Sequence, residues 1–261
     1  MATSEAPTVG AALRILTHLA GQPGPVAAAT VARVLDLPRS SVYRLLGVLE
    51  EQGYVLRFPE LRRYGLGIAA FELSSGYLRQ EPLTRLGRPV LAALVDRAGE
   101  SAHLAVLLGQ DVVYLVEERA PRRPALVTDV GVRLPGHLTA SGRALLAALP
   151  AGQVRALYPP GTRLTTRDGS EGPTPARLRR ELTATRARGF AVEDGEVTPG
   201  MSSVAVVLRD RSGWPAASVA LTFRTDDLPA GDGVGDAGRE RLVRVLRRHT
   251  EELGRRLYGD G

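Results

Sequence analysis

The sequence contains no cysteine and no lysine, and only 5 % of its residues are aromatic. The absence of cysteine excludes disulfide scaffolds, thiol nucleophiles and cysteine-ligated zinc or iron–sulfur sites. Four histidines remain, at positions 18, 103, 137 and 249, and none of them is spaced as HxH or HxxxH. We therefore expect neither a metal site nor any other cofactor.

Long hydrophobic runs are also missing. No uninterrupted apolar stretch approaches the roughly 20 residues that a membrane-spanning helix needs. The first residues, MATSEAPTVGAALRI, lack the basic segment that precedes the apolar part of a secretory signal. We therefore expect a soluble, cytoplasmic protein that does not contact a membrane. Its 261 residues, 44 % of them hydrophobic, suffice for one large or two smaller folded domains.

The net charge of +6 is carried by arginine alone. One interpretation is affinity for a polyanion, because the planar guanidinium forms paired hydrogen bonds with phosphate or guanine. The other is a base-composition bias that replaces lysine by arginine on a solvated surface. Net charge alone is compatible with both interpretations, and only the local arrangement of the arginines can distinguish them.

Three short helices and a hairpin are predicted in the first quarter of the chain. Apolar residues recur at helical spacing in three segments, and the tight turn Asp36-Leu37-Pro38 separates the last two. Two short runs around a turn at 58–61 follow and indicate a hairpin. This layout is typical of a winged helix-turn-helix. The helices are predicted at 9–19, 27–35 and 39–52, and the strands at 54–57 and 63–66.

The third predicted helix carries a polar face that suits DNA. Arginine can reach guanine edges or phosphates, and serine offers adaptable hydrogen bonds near the start of a helix. Arginines in the hairpin would contact the DNA backbone or the minor groove. An ordinary solvated helix face and solvated turn arginines are the alternatives, and the helices and hairpin together favour DNA. The candidate DNA-binding residues are Arg39, Ser40, Ser41, Tyr43, Arg44, Arg57, Arg62 and Arg63.

The rest of the chain predicts a different domain. Short strands joined by tight turns and flanked by amphipathic helices indicate an α+β fold with an antiparallel sheet. The strands are predicted at 102–108, 112–118, 190–192, 203–209 and 216–223. Helices are predicted at 67–80, 82–99, 151–157 and 175–188, and an apolar stripe predicts a last helix over 242–257. Another helix is expected to begin near Thr139 or Ser141, both of which are suitable N-cap residues. The segment 226–237 is expected to be a loop.

Three segments together resemble one known family. LDLPRSSVYRLLGVLEEQGYV (35–55) is similar to the helix-turn-helix of the isocitrate-lyase-regulator (IclR) family of bacterial transcription factors. GVRLPGHLTASGRALLA (131–147) and RGFAVEDGEVTPGMSSVAVVL (188–208) resemble two stretches of its C-terminal half. The resemblance implies a winged helix-turn-helix DNA-binding domain at 1–67, a linker helix at 68–81 that helps dimerisation, and a GAF-like effector-binding domain at 82–261. It also implies a homodimer or a dimer of dimers.

The resemblance further implies an effector pocket between the loop before a helix and the facing sheet. Glu193 stands where the family commonly has Asp, Ser203 where it has Cys, and Ala220 where it has Ser, so the ligand stays open. Without the family, Thr139 or Ser141 would be a helix cap and His137 a loop histidine with satisfied hydrogen bonds. The candidate effector-binding residues are His137, Thr139, Ala140, Ser141, Glu193, Ser203, Ala220 and Thr222.

Three functions compete at this point. The first is a sequence-specific transcriptional regulator whose affinity for double-stranded operator DNA is set by a small organic effector. The second is an enzyme that converts a small molecule and carries an appended winged-helix domain, although GxSxG, GxGxxG, Walker and HExxH patterns are absent. The third is an architectural DNA-binding protein without a ligand, which would leave the polar pocket positions unexplained.

Overall fold

The computed structural model describes residues 6–73, 82–121, 123–124, 128–228 and 234–259. The chain divides into two compact units, Met1–Gln80 and Glu81–Gly261. Of the linker helix predicted over 68–81, residues 68–73 are helical and the remainder lies outside the described residues.

The N-terminal unit is a three-helix bundle with a hairpin, which confirms the winged helix-turn-helix. Its core consists of the apolar stripes of the three helices and two hairpin residues, Val55 and Tyr64. Asp36 ends the second helix in the left-handed conformation (φ 51°), and Pro38 precedes the third. The elements are α1 (Pro7–Ala20), α2 (Ala28–Leu35), α3 (Arg39–Glu51), β1 (Val55–Phe58) and β2 (Arg63–Leu66).

The C-terminal unit is built on an antiparallel sheet, which confirms the predicted α+β class. The six strands lie in the order β5-β4-β3-β8-β7-β6, and every pair of neighbours is antiparallel. The elements are α4 (Pro82–Ala98), β3 (Ser101–Leu108), β4 (Asp111–Glu118), β5 (Arg133–Pro135), α5 (Ala140–Ala148), α6 (Ala151–Leu157), α7 (Pro175–Arg188), β6 (Ala191–Asp194), β7 (Met201–Arg209), β8 (Pro215–Arg224) and α8 (Val234–Tyr258).

The two faces of this sheet bury side chains of different size. Successive residues of a strand point to opposite faces, so Val204 and Leu221 belong to the large core shared with α4 and α8. Ala205 and Ala220 face the other way, against Ala140 of α5. The small residues allow α5 to approach the sheet closely, and they leave space beside its first turn.

Two details differ from the sequence predictions, and a third decides between two predicted alternatives. Strand β5 was not predicted, because three residues are too few to show a period. The segment 226–237 is not a continuous loop: 225–227 form a 3-10 helix and α8 already begins at Val234. Of the two possible caps of α5, Thr139 takes the role, since its Oγ1 accepts a hydrogen bond of 2.9 Å from the N–H of Gly142.

We expect Gly142→Ala to destabilise the C-terminal unit by about 1 to 3 kcal/mol, the usual cost of overpacking a tight contact. A Cβ at position 142 would lie 2.2 Å from the carbonyl oxygen of Gly136 and 2.3 Å from its Cα. Urea unfolding, followed by the fluorescence of Trp214, the single tryptophan, measures this loss.

Gly152→Ala in α6 is the matched control. The nearest atom to its new Cβ is 3.8 Å away, on the side chain of Arg155. Alanine is the better helix former, so this variant should be neutral or more stable by up to about 1 kcal/mol. Equal stability of the two variants would contradict the close approach at Gly142.

Candidate DNA-binding surface and effector cavity

One face of α3 is exposed because the opposite face is in the core. Val42, Leu45, Leu46 and Leu49 are buried, at most 8 % exposed. Four of the five DNA candidates on this helix are exposed and Ser41 is half-buried. The first turn carries no acidic residue and no side-chain cap, so the positive end of the helix dipole is not neutralised. The exposed candidates are Arg39, Ser40, Tyr43 and Arg44.

The hairpin is attached to the helical bundle through its second strand. Val26 and Tyr64 exchange two backbone hydrogen bonds of 2.8 Å. All three hairpin arginines are exposed. Arg62 lies at the tip with a φ of 50°, and Nη1 of Arg63 donates to the carbonyl oxygen of Pro25 at 3.4 Å. The structure therefore displays cationic groups on a hairpin whose position is fixed by backbone hydrogen bonds.

A small cavity lined mostly by buried residues lies between the start of α5 and the sheet of the C-terminal unit. Its volume is about 20 Å³, enough for about one water molecule. Seven of the eight effector candidates line it, and His137 does not. The lining residues are His103, Tyr114, Thr128, Thr139, Ala140, Ser141, Glu193, Val197, Thr198, Met201, Ser203, Ala220 and Thr222.

His137 belongs to a different part of the unit. Nε2 of this buried histidine lies 3.0 Å from the carbonyl oxygen of Thr165. Nε of Arg143 donates to the carbonyl oxygen of His137 at 2.9 Å, which holds this stretch away from the cavity. The side chain faces a groove that also includes Arg177 and Glu196. The structure thus corrects the grouping of His137 with the other candidates and fits the interpretation of a satisfied loop histidine.

His103 was not among the candidates, yet it is fully enclosed at the cavity. Its Nε2 and Oγ1 of Thr128 are 2.7 Å apart. Burial, helped by the positive charge of Arg119, lowers the pKa of His103 to about 4. The ring is therefore neutral at neutral pH. His103 is recognised as a cavity residue only from the strand register, which pairs it with Ala220. That register cannot be read from the sequence.

Tyr114 fills part of the space between sheet and helix. It is 4 % exposed, and its ring meets that of His103 edge-on with centroids 5.7 Å apart. Burial raises the pKa of Tyr114 above the ordinary value of 10, against the opposing effect of the nearby side chains of Ser141 and Thr139. A ligand at the start of α5 would compete with Tyr114 for this space.

Glu193 is the single acidic residue among the described residues that line the cavity. It is 2 % exposed, and its Oε1 accepts a hydrogen bond of 2.9 Å from the N–H of Val197. Burial raises the pKa of Glu193 to about 7, against the opposing effect of hydrogen bonds from Val197 and Ser203. Oγ of Ser203 lies 3.0 Å from Oγ1 of Thr222, so these three side chains form one hydrogen-bonded chain.

Family models match both units. The IclR helix-turn-helix domain matches residues 8–58, and the bacterial transcriptional regulator IclR C-terminal domain matches residues 75–234. The chain belongs to the IclR family of bacterial transcriptional regulators. Among the described residues, no helix of this IclR-family chain is long and apolar enough to cross a membrane. In the same part of the chain, no three histidine, aspartate or glutamate side chains cluster as metal ligands would.

Curated relatives and solved structures agree with this assignment. The chain is 36 % identical to the transcriptional regulator SauR of Cupriavidus necator, over 77 % of this chain and 80 % of that protein. It is 28 % identical to the transcriptional repressor IclR of Escherichia coli, over 85 % of this chain and 81 % of that protein. An IclR homologue from Microbacterium hydrocarbonoxydans, solved in complex with 4-hydroxybenzoate, shares the fold with a TM-score of 0.74 and 22 % identity. The match covers 96 % of this chain and 98 % of the homologue.

Glu193 should make the C-terminal unit less stable as the pH rises. Its pKa in the folded state is about 7, above the ordinary 4.5, so folding gains from the bound proton at low pH and loses that gain as the pH rises from 4.5 to 7. We expect Glu193→Gln to be more stable than the parent chain at pH 8 by up to about 3 kcal/mol, and by much less at pH 5.

Urea unfolding followed by Trp214 fluorescence at both pH values measures this difference. His103 has the opposite dependence, but it is present in both proteins, so the difference between them isolates Glu193. Glu251→Gln, at an exposed position of α8, is the control and should show no such divergence. A difference between parent and Glu193→Gln that is the same at both pH values would contradict the raised pKa.

Proposed function

We propose that this IclR-family chain is a sequence-specific regulator that binds double-stranded operator DNA, with an affinity that a small organic effector changes. In this proposal α3 enters the major groove, the hairpin follows the backbone or minor groove, and the effector occupies the cavity at the start of α5. The observation that carries the proposal is the exposed face of α3, which presents arginine, serine and tyrosine where a solvated helix usually presents opposite charges.

Tyr43 supports a function for this face. Its side chain is 56 % exposed although its ring is largely apolar. Tyrosine is enriched at binding interfaces, where its ring buries apolar surface and its hydroxyl group forms a hydrogen bond. Next to Arg44 it offers a base-edge contact beside a guanidinium that can pair with guanine. These two side chains are therefore our choice for reading the base sequence.

The effector part of the proposal requires the cavity to expand. A volume of about 20 Å³ excludes an organic molecule of several heavy atoms. Part of the lining must therefore move, and we infer that the first turn of α5 moves away from the sheet or that Tyr114 moves away from Ser141 and Thr139. A ligand that binds only the expanded state shifts the population towards that state, and a coupling of about 1 to 3 kcal/mol is enough for regulation. The homologue complexed with 4-hydroxybenzoate supports a small organic ligand in this fold.

The remaining features of the proposal concern organisation. We infer a DNA-binding domain at 1–67, a linker helix at 68–81 that helps dimerisation, and an effector-binding domain at 82–261. A homodimer, or a dimer of dimers, would place two copies of α3 on the two halves of a palindromic site. We further infer that the protein acts in the cytoplasm and without catalysis, in keeping with the regulator names of its relatives.

We expect Arg44→Ala and Arg62→Ala to weaken DNA binding in different ways. Loss of a base contact at position 44 should reduce the preference for the operator by about 1 to 3 kcal/mol. Loss of a phosphate contact at position 62 should weaken binding to all sequences equally and lower the salt slope by about one. Fluorescence anisotropy with an operator selected from random DNA, titrated at several salt concentrations, separates the two patterns.

Arg244→Ala removes the same charge from an exposed position on α8 and serves as the control. It should leave both operator preference and salt slope unchanged. If Arg44→Ala behaved like this control, the assignment of α3 as the recognition helix would be wrong.

A further inference from the structure

Hydroxyl groups dominate the polar lining of the cavity. They come from the start of α5, from three strands of the sheet and from two connecting segments, so they line the cavity from several directions. A hydroxyl both donates and accepts hydrogen bonds, and it therefore matches another hydroxyl or a carbonyl without a charge. The hydroxyl-bearing residues are Tyr114, Thr128, Thr139, Ser141, Thr198, Ser203 and Thr222.

The cavity offers a poor counter-ion for an anion. No arginine stands among the described residues that line it, and His103 is its single basic side chain there. Burial keeps His103 neutral at neutral pH, and its Nε2 is already paired with Thr128. Arg119 acts on His103 from outside the lining, but its guanidinium is paired with the carboxylate of Glu117 at 2.8 Å.

The capping bond at the start of α5 leaves one fewer free N–H group for an anion. The N–H of Gly142 donates to Oγ1 of Thr139. An anion seated there would share the cavity with the carboxyl group of Glu193, so the ligand and the protein would carry like charges at high pH.

A cation is not favoured either. Glu193 is the one acidic partner in the described lining, and burial moves its pKa towards neutrality, which weakens it as a counter-ion. Its Oε1 is occupied by the N–H of Val197. Moving an ion into a buried site without a full counter-charge carries a large desolvation cost, whereas a neutral hydroxyl needs only a hydrogen-bond partner.

We infer that the cavity takes a small, uncharged ligand bearing hydroxyl or carbonyl groups and discriminates against carboxylates and amines of the same shape. This inference rests on the proposed effector site and narrows its ligand class. It separates this chain from the homologue whose solved complex contains 4-hydroxybenzoate, an acid.

Four three-carbon probes with one shared skeleton test the inference: 1,2-propanediol, lactamide, lactate and 1-amino-2-propanol. They differ mainly in charge, so differences in affinity report charge selection and not shape. Each is titrated into the full chain at pH 6, where the carboxyl group of Glu193 is mostly protonated, and again at pH 8, and binding is followed by saturable changes in protein NMR signals. We expect the two neutral probes to bind at both pH values. At pH 6, lactate and the amine should bind at least about tenfold more weakly, since one unpaired charge costs more than 1.4 kcal/mol.

Variants locate the effect in the cavity. Ala220→Leu should abolish binding of the neutral probes, because its longer side chain occupies the space at the sheet. Ser203→Ala removes one hydroxyl with a smaller change in volume and should weaken them, which keeps the test valid if Ala220→Leu does not fold. Glu193→Gln removes the like charge and should reduce the discrimination against lactate. Trp214 fluorescence checks the fold of each variant.

Three outcomes would overturn the inference: lactate binding as tightly as the neutral probes at pH 6, the amine binding as tightly as they do at pH 6, or no saturable binding of either neutral probe. Operator binding is measured on the same samples. Intact, sequence-specific DNA binding together with one of these outcomes rejects the ligand class alone. Loss of sequence preference in the parent chain rejects the proposed function itself.

Discussion

Burial of the apolar stripe of α3 is the constraint on which the account of this protein depends. Val42 and Leu46 are fully enclosed, and Leu45 and Leu49 are at most 8 % exposed, so the helix can have only one rotation about its axis. With 3.6 residues per turn, that rotation directs the arginine and serine side chains outward. The packing of the core of the N-terminal unit therefore determines which side chains of α3 are exposed.

In the C-terminal unit, the alternation of side chains along each β-strand likewise decides which residues face which side of the sheet. Val204 and Leu221 fill the side of the sheet that α4 and α8 cover, and Ala205 and Ala220 occupy the side that α5 covers. Small residues on that second side leave a small cavity, which Glu193 also lines. A cavity of this size has to expand before it can hold an organic molecule, so a ligand bound there would favour a different position of the walls.

The periodicity of apolar residues predicted most of the helices and strands. It did not by itself predict which residues line the cavity. The bounds of α6 and α7 agree with those predicted from their patterns, whereas β5 is too short to show one. Motif positions identified Glu193 and Thr222 at the cavity, but not His103 and Tyr114, whose inclusion depends on strand register. The family motif groups His137 with Thr139, but the side chain of His137 lines a different groove, where its Nε2 lies 3.0 Å from the carbonyl oxygen of Thr165. The direction of that side chain cannot be read from the position of the residue in a motif.

The absence of cysteine permits the most direct test of the central claim. Ser40→Cys places a single thiol on the exposed face of α3, where it can carry an iron chelate that cleaves nearby DNA. Glu251→Cys, exposed on α8, is the matched control. The account predicts cuts confined to the centre of each operator half-site from position 40, and none there from position 251. Operator binding without cuts from position 40 would contradict it.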